Sequence, residues 1–252
     1  MSGVIMRRSR PAFPGMNERR TLCGVLLEVI VETVEDALEA EDGGAGRLEL
    51  VRDLGRGGLT PEPRLLEEMV KAVRIPVRVM LRDSEPFELA DRAEPRRLHD
   101  AARHAHECGA AGFVVGFLLD GAPCLGAIQE VVGGLRGPVT FHRAFDAAAD
   151  HLAAVAAIAA EPRIDRILTS GGEGDWPVRF ARLRNFRDAA PPRLTILPGG
   201  GLDADALRAL AADGFPEAHI GRAARVPSET TGRVRASRVA ALVAIAAGRA
   251  AT

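Results

Sequence analysis

The segment Phe141-His142-Arg143-Ala144-Phe145-Asp146 sets an imidazole, a guanidinium and a carboxylate close together in the chain. An imidazole titrates near neutrality, so His142 suits general acid–base work or metal ligation. Arg143 carries a planar fork that donates two parallel hydrogen bonds to a carboxylate or phosphate. Two glycine clusters, Ser170-Gly171-Gly172 and Gly199-Gly200-Gly201, together with Gly221-Arg222, offer backbone amides for an anion. The same glycines also serve tight turns, which need them for their backbone freedom alone.

These residues need a scaffold that brings them together. The chain repeats one pattern eight times: a short β-branched, apolar run with a polar or glycine-rich tip, then a helix-patterned stretch. Strands alternating with helices at this pace imply βαβ units and a parallel sheet. Eight units in 252 residues is the requirement of a closed (β/α)8 TIM barrel, an α/β fold, here in a single domain over residues 21–252. Any active site is then confined to the carboxyl ends of the strands.

Side chains alternate along a strand, which sorts inward from outward positions. Glu28 and Ile30 face inward on the first strand, Glu49 and Val51 on the second, and Arg78, Met80 and Arg82 on the third. Thr140 and His142 face inward on the fifth, with Val139 and Phe141 under the helices, and His219 faces inward on the eighth. A buried carboxylate is costly unless paired, so Glu28 and Glu49 are expected to meet Arg78, Arg82 or His142. Convergence from several strands favours a site in which Glu28 or Glu49 is the base and His142 the acid. Arg82 and Arg143 then clamp an anion, helped by Ser170, Gly171, Gly172, Gly199, Gly200 and Gly201. The alternative is a structural ion-pair network that simply fills the barrel.

Composition excludes several classes. Net charge is −1 with no concentrated basic face, which argues against nucleic acid. No apolar run approaches the ~18 residues of a membrane span. Lys71 is the sole lysine and lies in the helical stretch 65–73, away from any strand tip, so Schiff-base and pyridoxal-phosphate chemistry are not expected. Cys23, Cys108 and Cys124 make an odd set without CxxC spacing, no basis for a disulfide or zinc framework, and fit a reducing cytoplasm. His99, His104 and His106 share one predicted helix without i,i+4 spacing between histidines and read as a solvated face. The glycine-rich stretch 54–60 lacks the ending of a P-loop. Residues 1–20 read as a disordered basic tail, or an over-long start with initiation at Met6 or Met16; no apolar stretch follows Arg7-Arg8 to make a twin-arginine signal.

Taken in order, Leu27-Glu28-Val29, Arg47-Leu48-Glu49-Leu50, Gly57-Gly58-Leu59-Thr60-Pro61, the segment 138–146, Leu168-Thr169-Ser170-Gly171-Gly172 and Pro198-Gly199-Gly200-Gly201 resemble the CutC family of copper homeostasis proteins. The resemblance runs from about Cys23 to Arg222. It implies a cytoplasmic barrel, commonly a homo-oligomer, assigned to copper handling. Many relatives carry a cysteine after the Glu-Val of the first strand and another after the Glu-Leu of the second; here those positions are Ile30 and Val51. Copper(I) is soft and prefers thiolate or thioether. Only Met80, His142 and His219 remain nearby as candidate metal ligands, so weak copper(I) binding is expected. Asp83-Ser84-Glu85-Pro86 replaces the family's arginine- and glycine-rich loop, and His219-Ile220-Gly221-Arg222 departs from its usual ending. Two functions follow: a copper-handling protein without catalysis, or a barrel isomerase or lyase acting on a small phosphate- or carboxylate-bearing substrate.

Overall fold

The computed structural model describes residues 24–249; the basic tail, Cys23 and the last three residues lie outside them. Eight parallel strands form the barrel: β1 (Leu26–Val31), β2 (Arg47–Leu50), β3 (Val77–Met80), β4 (Gly112–Val115), β5 (Val139–Phe141), β6 (Ile164–Thr169), β7 (Thr195–Pro198) and β8 (Glu217–Ile220). The hydrogen-bonded order is β8-β1-β2-β3-β4-β5-β6-β7. Seven seams carry ladder bonds; β7 and β8 lie side by side without one among the described residues.

The helices are α1 (Val34–Asp42), α2 (Pro63–Ala72), α3 (Glu94–Cys108), α4 (Leu125–Val132), α5 (His151–Ala159), α6 (Trp176–Ala189), α7 (Ala204–Ala212) and α8 (Ala236–Ala246). Local chemistry fixes their ends. Thr33, Asp150, Asp175 and Asp203 cap α1, α5, α6 and α7 by accepting first-turn amides. Gly109, at φ 92°, stops α3 in the left-handed region that glycine enters without steric cost. α6 is the helix-patterned stretch of the sixth repeat, its apolar face interrupted by arginines, and a small hairpin that the repeat does not foretell pairs Leu118–Leu119 with Ala122–Pro123.

Alternation splits the core into two shells. Val29, Leu48, Val79, Phe113, Phe141 and Ile167 pack outward beneath the helices. Ile30, Val51, Met80 and Val114 form a separate apolar cluster inside the barrel. Below it, toward the amino-terminal end, the interior is ionic. Arg47 bonds both Glu28 and Glu217, Arg166 forks onto Glu217 at 2.6 and 2.7 Å, and Arg78 forks onto Asp165 and reaches Thr140. In this fold that end carries stability while the opposite end carries chemistry.

Candidate functional site

A cavity of about 670 Å³ opens at the carboxyl ends of the strands. Glu49, Arg82, His142, Arg143, Ser170 and His219 all line it, drawn from five strands and the loops that follow them. Gly172, Gly200 and Gly201 line it too, whereas Glu28, Gly171 and Gly199 are not in its wall, Glu28 lying behind His219.

The pairing of the carboxylates differs from the expectation. Glu28 accepts from Arg47 and lies 2.9 Å from His219 Nδ1, while Arg78 acts on it only as a further nearby charge. The stagger between strands decides this, since β1 pairs Glu28 with Arg47 on one side and His219 on the other. Burial alone would raise the Glu28 pKa, but Arg47 and then His219 outweigh it and hold the carboxyl well below its ordinary range. Glu28 is thus held as an anion against His219, and Glu49 is the carboxylate better placed to serve as a base. Arg78 is committed to Asp165 and Thr140. Arg82 bonds the carbonyls of Gly57, Gly58 and Glu85 and lies 4.9 Å from the Phe87 ring centroid.

Glu49 is 1% exposed, and neither carboxylate oxygen has a hydrogen-bond partner. Its nearest charged neighbour is His219 Nε2 at 3.5 Å. Burial, reinforced by the negative Glu28, pushes its pKa up to about 7 against the pull of His219. His219 moves the other way from a simple buried imidazole: burial lowers its pKa, but Glu49 and Glu28 together raise it.

His142 caps the short 3-10 turn Arg143–Ala147, its Nδ1 accepting the Ala144 amide at 3.1 Å. An accepting Nδ1 places the ring proton on Nε2, and that atom is buried without a partner. Burial first, then Arg82, pushes the imidazole pKa down to about 3, so it is neutral across the physiological range. The close fit depends on Gly116, where a Cβ would lie 2.8 Å from His142 Nδ1. The result is a neutral imidazole presenting an N–H donor to the cavity.

The glycine tips hold fewer free donors than expected. Asp146 accepts from the Ser170 amide and hydroxyl and from the Thr169 hydroxyl, and it also pairs with Arg143 Nε at 3.0 Å. The Gly171 and Gly172 amides donate to the Thr169 and Ser170 hydroxyls, and the Gly199 amide donates to the Thr169 carbonyl. Gly200 and Gly201 keep amides with no partner among the described residues, beside Arg222. Arg179, on α6 and away from any strand tip in sequence, joins the site only through the fold. Its guanidinium stacks on Trp176 and bonds the carbonyls of Ser170, Gly199 and Gly200, tying two tips together.

Copper(I) does not fit this mouth. The inward positions around Met80 are Ile30, Val51 and Val114, all apolar, and the described free cysteines, Cys108 and Cys124, are not in its wall. His142 presents a proton and not a lone pair, and His219 is committed to Glu28. Met80 alone is soft enough.

Comparison with known proteins agrees with the architecture. The mouse protein named copper homeostasis protein cutC homolog is 37% identical over 203 residues, covering 78% of this chain and 73% of its own length. Its human counterpart is 34% identical over 223 residues, covering 86% and 80%. A solved CutC from Streptococcus agalactiae superposes with a TM-score of 0.71 at 26% identity, covering 78% of this chain and 98% of that one. Thiamine phosphate pyrophosphorylase from Pyrococcus furiosus, at 15% identity and a TM-score of 0.57, shares the fold alone. The model of the CutC family matches residues 25–224, and the chain belongs to that family.

Proposed function

We propose that this chain serves copper homeostasis, as the names of its mouse and human relatives state for those proteins. The family match over residues 25–224 carries this reading. A cytoplasmic setting and a homo-oligomeric state are part of the same proposal; no helix among the described residues is long and apolar enough to cross a membrane. Since Met80 is the one soft donor in the described wall of the mouth, the role does not depend on tight copper(I) capture there. Deleting the gene in its host is expected to change tolerance to added copper, with restoration by the wild-type gene. Identical growth of parent and deletion strain across the copper range overturns the reading.

A second reading has its own support in Glu49 and His142, two unpartnered polar groups facing one cavity rimmed by arginine. A carboxylate with a pKa near 7 is matched to take a proton at neutral pH. A neutral imidazole can donate to an oxygen that becomes negative, as in known isomerases with a Glu–His pair. The step this suits is abstraction of a proton next to a carbonyl. In an α-hydroxy carbonyl substrate the C–H bond breaks to Glu49, its electron pair forms the C=C bond of an enediolate and the carbonyl π pair moves onto the oxygen held by His142 Nε2–H. The hydroxyl proton passes to that oxygen through His142, and Glu49 returns its own proton to the former carbonyl carbon. Arg82, Arg143 and Arg222, with the Gly200 and Gly201 amides, would hold a phosphate or carboxylate.

An anion bound there at a hundredfold excess over its Kd would stabilise the native state by about 2.7 kcal/mol. For a chain of this size that is roughly 5–10 °C in Tm. A thermal-shift screen with phosphate, sulfate and small phosphorylated metabolites, repeated on Arg143→Ala, is expected to show the gain in the wild type and its reduction in the variant. No stabilisation of the wild type by any anion removes this reading, and equal stabilisation of the variant puts the anion elsewhere.

A further inference from the structure

Away from the mouth, on the outer seam between α2 and α3, three donors of different chemistry meet. His104 and Cys108 stand one turn apart on α3, the i,i+4 spacing that places two side chains on one face. Glu67 reaches them from α2. Cys108 Sγ lies 3.6 Å from His104 Nε2, which lies 3.5 Å from Glu67 Oε1, and one donor atom of each residue falls within 4.8 Å of the other two. The solvated histidine face expected from sequence does not describe His104. Its i,i+4 partner is a thiol, so a search for paired histidines passes over it.

These separations are informative. With metal–sulfur near 2.3 Å and metal–nitrogen or metal–oxygen near 2.0–2.2 Å, the edges of a tetrahedral ligand set are about 3.4–3.6 Å long. The two measured contacts have those lengths before any ion is present. All three side chains are half-buried and open to solvent, so an ion has a path to them. Lys71 pairs with the other Glu67 oxygen, Oε2, at 3.6 Å, which leaves Oε1 turned to the histidine. His99 is held away by the Val131 carbonyl. Thiolate, imidazole and carboxylate together are a borderline donor set, unsuited to calcium or magnesium and suited to zinc-class divalent ions.

We propose that Glu67, His104 and Cys108 form a binding site for a zinc-class divalent cation, with the fourth position open to water. The site is independent of the barrel mouth and of the function proposed for it. The alternative is an ordinary side-chain contact across the helix seam, with no affinity for metal.

Cobalt(II) distinguishes the two, since it takes zinc sites and reports their geometry and ligands in its spectrum. Titration of the reduced, metal-free full chain is expected to give one equivalent of tetrahedral cobalt with a thiolate-to-metal charge-transfer band, bleached by zinc. Cys108→Ser is expected to abolish that band while Cys124→Ser keeps it. His104→Gln and Glu67→Gln are expected to weaken binding by at least about 10–100-fold, the loss seen when even outer partners of a metal ligand are removed. Glu67 is half-buried at the surface and its amide variant is isosteric, so it tests the site with little risk to the fold. An octahedral spectrum without charge transfer, or a charge-transfer band that survives Cys108→Ser, overturns the proposal.

Discussion

Replacing Arg47 with alanine is expected to cost about 3–5 kcal/mol of folding stability, the penalty for leaving buried charge uncompensated. Arg47 is fully buried and is the shared partner of Glu28 and Glu217. Its removal leaves buried Glu28 with only His219, and Glu217 with only Arg166, to offset their charge. In a chain of this size the loss corresponds to roughly 6–20 °C in Tm. Urea unfolding checks it, and adding Glu28→Gln should recover part of the loss because the two residues act as one unit. A cost below about 1 kcal/mol would mean that the ionic layer is not what holds the barrel's lower interior.

The second large effect concerns acid. His142 is neutral in the native state, with its pKa near 3, and has its ordinary value near 6.5 when unfolded. Between those values the unfolded chain binds a proton that the native chain does not, so stability is fully present above pH 6.5 and is lost as pH falls. At 1.36 kcal/mol per pH unit, the contribution lost between neutrality and pH 4.5 is about 3 kcal/mol. His142→Asn removes the titration while keeping a side-chain acceptor for the Ala144 amide, as asparagine is a preferred cap. Urea unfolding of both proteins from pH 7 to 4.5 should show wild type losing that amount relative to the variant. A gap that stays constant with pH would show that the imidazole is not held neutral by its surroundings.

The inward set was readable from the sequence because the pleat forces a period of two. Glu49, Ile30, Val51, Met80, Thr140, His142 and His219 all lie where alternation assigns them. The same parity could have found Arg47, two residues before Glu49, and Glu217, two before His219. They were passed over because strand ends are the least defined part of the pattern. Which arginine meets which carboxylate was not legible. It depends on the stagger between neighbouring strands, a property of barrel closure and not of any local segment. Arg179 was hidden for a different reason: it lies on α6, away from any strand tip in sequence, and so its role in joining the Ser170 and Gly200 tips became visible only in three dimensions. The free donors expected at Ser170 and Gly171 were overcounted because Asp146 and the local hydroxyls absorb them.

The seam between β7 and β8 gives the barrel a mechanical character that a fully bonded ring would lack. It is a ribbon rolled until its two edges touch, held there by side chains and by the helices outside. Local opening costs least where no ladder bonds have to break. The two edges that meet there lead to Gly199–Gly201 and carry His219, so opening of this joint is expected to widen the mouth. Glu49 and Met80, by contrast, stand on strands bonded on both sides. The buried carboxylate is thus carried by bonded strands, and the anion-type donors by the edges of the open seam.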